Sequence, residues 1–231
     1  MTVKDALTSA ASRIMGVRPT VFFSSTNALE GDLTELVNAV AKDIIKSHDW
    51  RVLTKLCTLT GDGTSEGFNL PDDYDRMQKG SSLQSATAPL FGYQPCVDPD
   101  EWLTLQMPYG SCSLGRWIKF GGQIHIMPKP ALGQEIKFFY QGNLFVLDEN
   151  GTPKARFEKD NDSFLLDEEL LTLGLIWRYR QQKRIDYTDD QALFEKRFNE
   201  IAGEDKGARV FVEGGSRSRG NVSVPYWGEL G

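Results

Sequence analysis

The chain has 231 residues, 40% of them hydrophobic, enough to close a sizeable core without a metal or disulfide staple. Lys and Arg total 26 against 32 Asp and Glu, a formal charge of -6, the wrong sign for a protein that clamps a phosphate backbone along its surface. Cys57, Cys96 and Cys112 are widely spaced and lack a histidine pair, which argues against a disulfide framework or a zinc site, and no apolar run approaches the ~20 residues of a membrane span.

The first predicted element is a weakly amphipathic helix from Val3 to Ile14, with Ala6, Leu7, Ala10 and Ile14 at helical spacing and Gly16 and Pro19 ending it. An extended piece follows. Asn27 and Glu30 then fit a capping arrangement, with Asp32 and Glu35 offering a second start, and Leu29, Leu33, Leu36, Val37, Val40 and Ile44 repeat along one helix face to about His48. From Trp50 to Phe157 the pattern changes to short β-branched and aromatic runs separated by turn residues. The clearest unit there is RWIKFGGQIHIMP, a hairpin in which Gly121 and Gly122 supply the turn, Phe120 faces Gln123, Ile118 faces His125 and Trp117 faces Ile126. Each face then carries apolar groups, so both are expected to be partly covered. A second ribbon is expected from Glu135 to Leu147, with Pro153 to Phe157 returning after a turn.

Helix is expected to resume within Ser163 to Asp167 and run to about Arg184, with almost no polar face in its middle, as in a central buried helix. Thr188 to Gln191 reads as a capping box, and Phe194, Phe198 and Ile201 form one stripe of the next helix, giving a helical hairpin across Ile185 to Tyr187. The remaining tail is rich in Gly and Ser and ends in an apolar and aromatic knot from Val222 to Trp227. The expected fold is therefore α+β: an antiparallel helical bundle (1–49 and 158–207), an inserted β-rich module (50–157) and an extended C-terminal arm (208–231).

No catalytic constellation emerges. His48 and His125 stand in no nucleophile, relay or metal motif, and no phosphate-binding glycine loop occurs. Asp160, Asp162 and Glu168 tempt a metal-hydrolase reading, but a calcium loop starting at Asp160 would place Leu165 and Leu171 where Gly and Glu are needed. Acids at a helix start, compensating its dipole, are the simpler account. The sequence thus predicts no enzyme, no cofactor and no metal.

The one basic burst is LGLIWRYRQQKRIDY, in which Arg178, Arg180, Lys183 and Arg184 close a helix whose first turns carry Asp167, Glu168 and Glu169. That order suits the helix dipole, and Asp186, Asp189 and Asp190 stand close enough in sequence to pair with the cations. Arg180 and Arg184 share a face with Trp177 while Arg178 points elsewhere, so the four make no continuous stripe. Structural neutralisation is favoured over a nucleic-acid contact.

The succession SSTN, a helix ending in HDW, LTGDGTSEGFNLPDDYDRM, DPDEW, WIKFGGQIHIMP and FEKDNDSFLLDEELLTLGLIWRYRQQKRIDY resembles a family of tailed-bacteriophage and prophage head-to-tail connector (adaptor) proteins, over about residues 3 to 212. The resemblance implies a virion protein at the head-tail junction, made in the host bacterial cytoplasm, forming a ring of about twelve copies beneath the portal. It further implies contacts with the portal protein and with tail or nozzle proteins, and a conduit for the genome. An arm of Phe211, Val222, Pro225, Tyr226 and Trp227 would face the partner, and Arg180 and Arg184 would be sites of transient DNA contact. The alternative is another tail component, a tail-tube or fibre-attachment protein, using the β-rich module for partner binding.

Overall fold

A computed structural model describes residues 2–87, 92–107 and 115–206. Among these, the helices are α1 (Val3–Met15), α2 (Ala28–Ser47), α3 (Pro99–Gln106), α4 (Glu168–Gln182) and α5 (Thr188–Asp205). The first sheet joins β1 (Thr54–Thr60), β8 (Glu135–Gly142) and β3 (Tyr74–Met77), with β4 (Gln84–Ser85) also on β8. A second runs β2 (Gly67–Asn69), β7 (Gln123–Met127), β6 (Gly115–Phe120), β5 (Tyr93–Pro95), and a small third one runs β10 (Pro153–Lys154), β9 (Val146–Leu147), β11 (Ser163–Phe164).

The largest core forms around α4. Its residues from Leu170 to Ile176 are all buried, so the middle of the helix has no side it can turn to water. α1 covers it with Val3, Leu7, Ala10 and Ala11, and α2 with Leu33, Val37, Val40 and Ala41, while α5 lays Phe194, Phe198 and Ile201 over it without fully burying any of its own residues. The packing is tight at Gly174, where an added Cβ would lie 2.5 Å from Val40 Cγ1 and 3.3 Å from the Phe194 ring. The absence of a side chain there lets α2 and α5 both reach α4.

The expected antiparallel helical bundle is not what forms. The fold is α+β with substantial sheet, but α1, α2 and α5 pack on α4 far more than on one another, and a large share of the same core comes from outside the helices. Phe145, Phe157 and Phe164, from the third sheet and its loops, form one aromatic group in which Phe145 meets the other two edge-on, and Val146, Trp50 and Leu53 belong to the same core. The physical reason is that hydrophobic periodicity reports that a helix is covered and says nothing of what covers it. Ser163 and Phe164, read as part of a helix start, are strand β11, and the arm (208–231) lies outside the described residues.

The two larger sheets share a second core of Leu59, Leu83, Tyr93, Ile124, Ile126, Ile136, Phe138 and Tyr140. The β6–β7 hairpin has the register read from the sequence, Trp117 opposite Ile126 and Ile118 opposite His125, because Gly121 and Gly122 adopt φ of 60° and 77°. Its two faces are both used: Ile124 and Ile126 enter the inter-sheet core, and Ile118 packs with Cys96 and Trp102 beneath α3. α3 itself starts where Asp98 accepts from the Asp100 amide at 2.9 Å ahead of Pro99.

Two polar anchors join the layers. The Arg76 guanidinium, on β3, donates to the carbonyls of Ile45 (3.1 Å) and His48 (2.7 Å) and to the Asp49 carboxylate (3.0 Å), satisfying the open carbonyl end of α2. Asp73 accepts from the Tyr140 hydroxyl at 2.8 Å and pairs with Lys55, bracing β8 and β1. Burial acts to raise the Asp73 pKa, but the bonds from Lys55 and Tyr140 outweigh it and hold the carboxyl below its ordinary value.

Two outcomes follow. Gly174→Val should lower stability by roughly 1–3 kcal/mol through overpacking against Val40, whereas Gly31→Ala, at an exposed α2 position with open space, should raise it by about 0.5–1 kcal/mol; urea midpoints measure both. Because the folded pKa of Asp73 is depressed, its stabilising effect is fully present above about pH 4 and is lost as pH falls through the folded value. Asp73→Asn should therefore destabilise at neutral pH and flatten the fall of thermal midpoint below pH 4; an unchanged acid limb would refute that role.

Candidate functional site

The basic end of α4 is the most charged feature that the sequence singles out, and local bonding dictates its shape. Asp167 opens the helix by accepting from the Leu170 amide at 2.7 Å, and Arg197 of α5 pairs with both Asp167 (3.2 Å) and Glu169 (3.3 Å). At the other end Lys183 and Arg184 donate their amides to Tyr179 (3.0 Å) and Gln181 (3.1 Å). Arg184 takes φ of 58°, a left-handed residue that stops the helix where a glycine is more usual. Asp186 then accepts from the amide (3.1 Å) and hydroxyl (3.0 Å) of Thr188. These bonds hold the Asp186 carboxyl below its ordinary pKa, and Asp186 rather than a Thr188 capping box starts α5. Asn27 likewise makes no side-chain cap on α2; its expected partner Glu30 accepts instead from the Ser25 hydroxyl at 3.2 Å.

Three of the four cations in the burst are internally paired. Arg178 pairs with Asp43 of α2 and lies over the Trp177 ring, 4.5 Å from its centroid. Arg180 pairs with Asp190 across the α4–α5 hairpin. Lys183 bonds Asp32 at 2.7 Å, which raises its ammonium pKa. Arg184 is exposed and makes no ion pair among the described residues. Between α2 and α4 the pairs border an open groove of about 400 Å³, lined by Asp32, Glu35, Leu36 and Arg178 among others. An open groove bordered by both charge signs suits a protein or solvent contact better than an enclosed small-molecule pocket.

The acidic loop before α4 serves backbone amides. Asp160 accepts from the amides of Phe22 (3.2 Å) and Phe23 (3.1 Å), hooking the segment between α1 and α2 onto the loop. Asp162, 1% exposed, accepts from Glu158 (2.7 Å) and Lys159 (2.9 Å). Their oxygens therefore satisfy N–H groups that would otherwise be stranded near the core. Asp160, Asp162 and Glu168 do not form a group of three ligands around a common point among the described residues.

Other polar residues were silent in the sequence. Arg76 lies in the quoted stretch LTGDGTSEGFNLPDDYDRM, but no spacing there marks it as the partner of a helix end. Asp205 carried a faint signal, since an acid in the last turn opposes the helix dipole. Its carboxylate is used by the Arg51 amide (3.2 Å) and by His48 Nε2 (3.3 Å), which ties the end of α5 to the end of α2. The arm residues Phe211, Val222, Pro225, Tyr226 and Trp227 lie outside the described residues.

A double-mutant cycle on Arg180→Ala and Asp190→Ala should give a coupling of about 0.2–1 kcal/mol at low salt that shrinks in 1 M salt, as for a partly exposed pair. A coupling near zero at low salt would mean that Arg180 is available to a partner.

No helix among the described residues is long and apolar enough to cross a membrane. No curated protein matches the chain. The SU10 adaptor protein family matches residues 1–221, nearly its whole length. The chain belongs to that family, a family of phage head-tail adaptors, and is in that sense a virion structural protein.

Proposed function

We propose that the protein acts as a ring beneath the portal, joining capsid to tail and enclosing the path of the genome. The observation that carries this reading is the family match over residues 1–221, which reaches past α5 into the tail sequence. The role is structural and not catalytic. In a ring with the charge of -6 per chain, phosphates meet few free cations, and the internal pairing of Arg178, Arg180 and Lys183 supports a surface on which DNA slides. Arg184 is then the residue of the burst best suited to a transient DNA contact, and Arg180 contributes only when its pair with Asp190 opens. The arm, with Phe211, Val222, Pro225, Tyr226 and Trp227, provides the apolar contact to the portal protein.

Imaging of the purified protein with portal rings tests the reading. A ring of adaptor seated under the portal is expected, with loss of co-sedimentation when residues 211–231 are deleted. A position farther down the tail in a virion reconstruction would favour the tail-tube or fibre-attachment alternative and sink the portal assignment.

A further inference from the structure

Charge of one sign and exposed apolar groups coincide at two separate places. Residues 6–29 contain no acid, and residues 80–115 contain no Lys or Arg. The first stretch takes in most of α1 and the segment after it. There Lys4, Arg13 and Arg18 border an open groove of about 700 Å³, with Thr8 and Ser12 between them, and none of the three cations makes an ion pair among the described residues. Asp5 also borders the groove, but its carboxylate is occupied by the amide (2.9 Å) and hydroxyl (3.1 Å) of Thr2. Asp160, on the neighbouring loop, is committed to the Phe22 and Phe23 amides. Past the groove, Met15, Val17 and Val21 are exposed.

The second place is α3. Its one buried residue, Trp102, pins it to Cys96 and Ile118, and most of the helix faces outward. Val97, just ahead of it, is 89% exposed, and Leu103 and Met107 are 55% and 59% exposed. Asp100, Leu103 and Met107 fall at i, i+3 and i+7 and so share one face. Glu101 is held by Arg116 at 3.7 Å, whereas the Asp100 carboxylate has no ion partner among the described residues. The two patches rest on different cores, α1 on the one around α4 and α3 on the second sheet.

Six of the thirteen large apolar side chains exposed among the described residues lie in these two patches, which marks both as contact surfaces. Met and Arg together are the composition of a protein interface, and a track for phosphates would need no apolar border. We infer that the basic groove of α1 docks the acidic face of α3 on a second copy of this chain, head to tail. Each patch carries one sign, so pairing either with itself would set like charges together. The arrangement that matches both signs is heterologous, and its repetition closes into a ring when the rotation between neighbours divides a full turn. With a charge of -6 on every copy, the patches also set orientation, because other approaches meet net repulsion. The inference rests on the proposed ring and names the surfaces that join its neighbours.

Two variants of the full chain, each with one patch spoiled, test it: Arg13→Glu with Arg18→Glu, and Asp100→Lys with Leu103→Asp. In sedimentation velocity the natural chain is expected to associate, less so at high salt, and each variant alone at least about tenfold more weakly. An equimolar mixture should give one-to-one dimers and nothing larger, since each variant keeps the patch that the other lacks; that rescue also shows both to be folded. Arg18→Gln and Asp100→Asn, milder changes at exposed sites, should weaken association in the same direction. A natural chain that stays monomeric, variants that associate as the natural chain does, or a mixture that stays monomeric overturns the inference. So does loss of binding to a short DNA duplex in the Arg13 and Arg18 variant with self-association unchanged, which would assign the groove to phosphates. Rings beneath the portal built from either variant alone sink this pairing and leave the ring standing, whereas head-to-tail association without such rings keeps the pairing and sinks the ring.

Discussion

The covering of α4 is the constraint from which the rest of the architecture follows. A helix whose middle offers water no polar face has to be enclosed on every side, and each apolar side chain so enclosed is worth about 1.5–3 kcal/mol. Three helices pack against it, and the one residue without a side chain, Gly174, leaves room for Val40 of α2 and Phe194 of α5. The remaining cover is aromatic and comes from the short third sheet, which is too small to be stable by itself. Helix and sheet thus share one core, with Phe145, Phe157 and Phe164 in the same cluster as Leu33, Val37 and the buried residues of α4.

Polar groups then fix what apolar packing leaves loose. Dispersion and hydration reward contact without fixing direction, so the angle between layers has to be set by directional bonds. Arg76, Asp160 and Asp205 each do this between segments far apart in sequence, and each does so with backbone groups that lack a partner within their own element. The ion pairs around the end of α4 differ in kind: they are partly exposed and lend at most about 1 kcal/mol apiece, but together they remove free positive charge from the surface.

Sequence reading succeeded where the determinants are local. The β6–β7 register follows from two glycines that turn the chain, and the α4–α5 hairpin from a charge order and a short link, which is two residues longer than the Ile185 to Tyr187 expected. It failed where they are not. The pairing of Thr54 with Gln141 spans most of the intervening chain, and nothing in either strand names the other. The bundle expectation treated α4's coverage as helical because helices were the elements with visible faces. The caps at Asn27 and Thr188 were misassigned because Ser, Thr, Asp and Asn neighbours compete for the same amides, and geometry, not composition, selects Asp186 at one and leaves Asn27 unused at the other. Of the candidate site, the ion pairing of the basic burst was foreseeable in outline, while the partners from α2, Asp32 and Asp43, were not.

The Arg76 clamp has a mechanical meaning. One planar guanidinium grips three oxygens at the carbonyl end of α2 while its backbone is laced into β3, and β3 is in turn bonded to β8. A tug on the sheet along the helix axis loads those bonds in parallel, so they resist as a set and do not peel one by one. A joint built this way transmits force from one layer to the next with little play, as a wedge does in masonry.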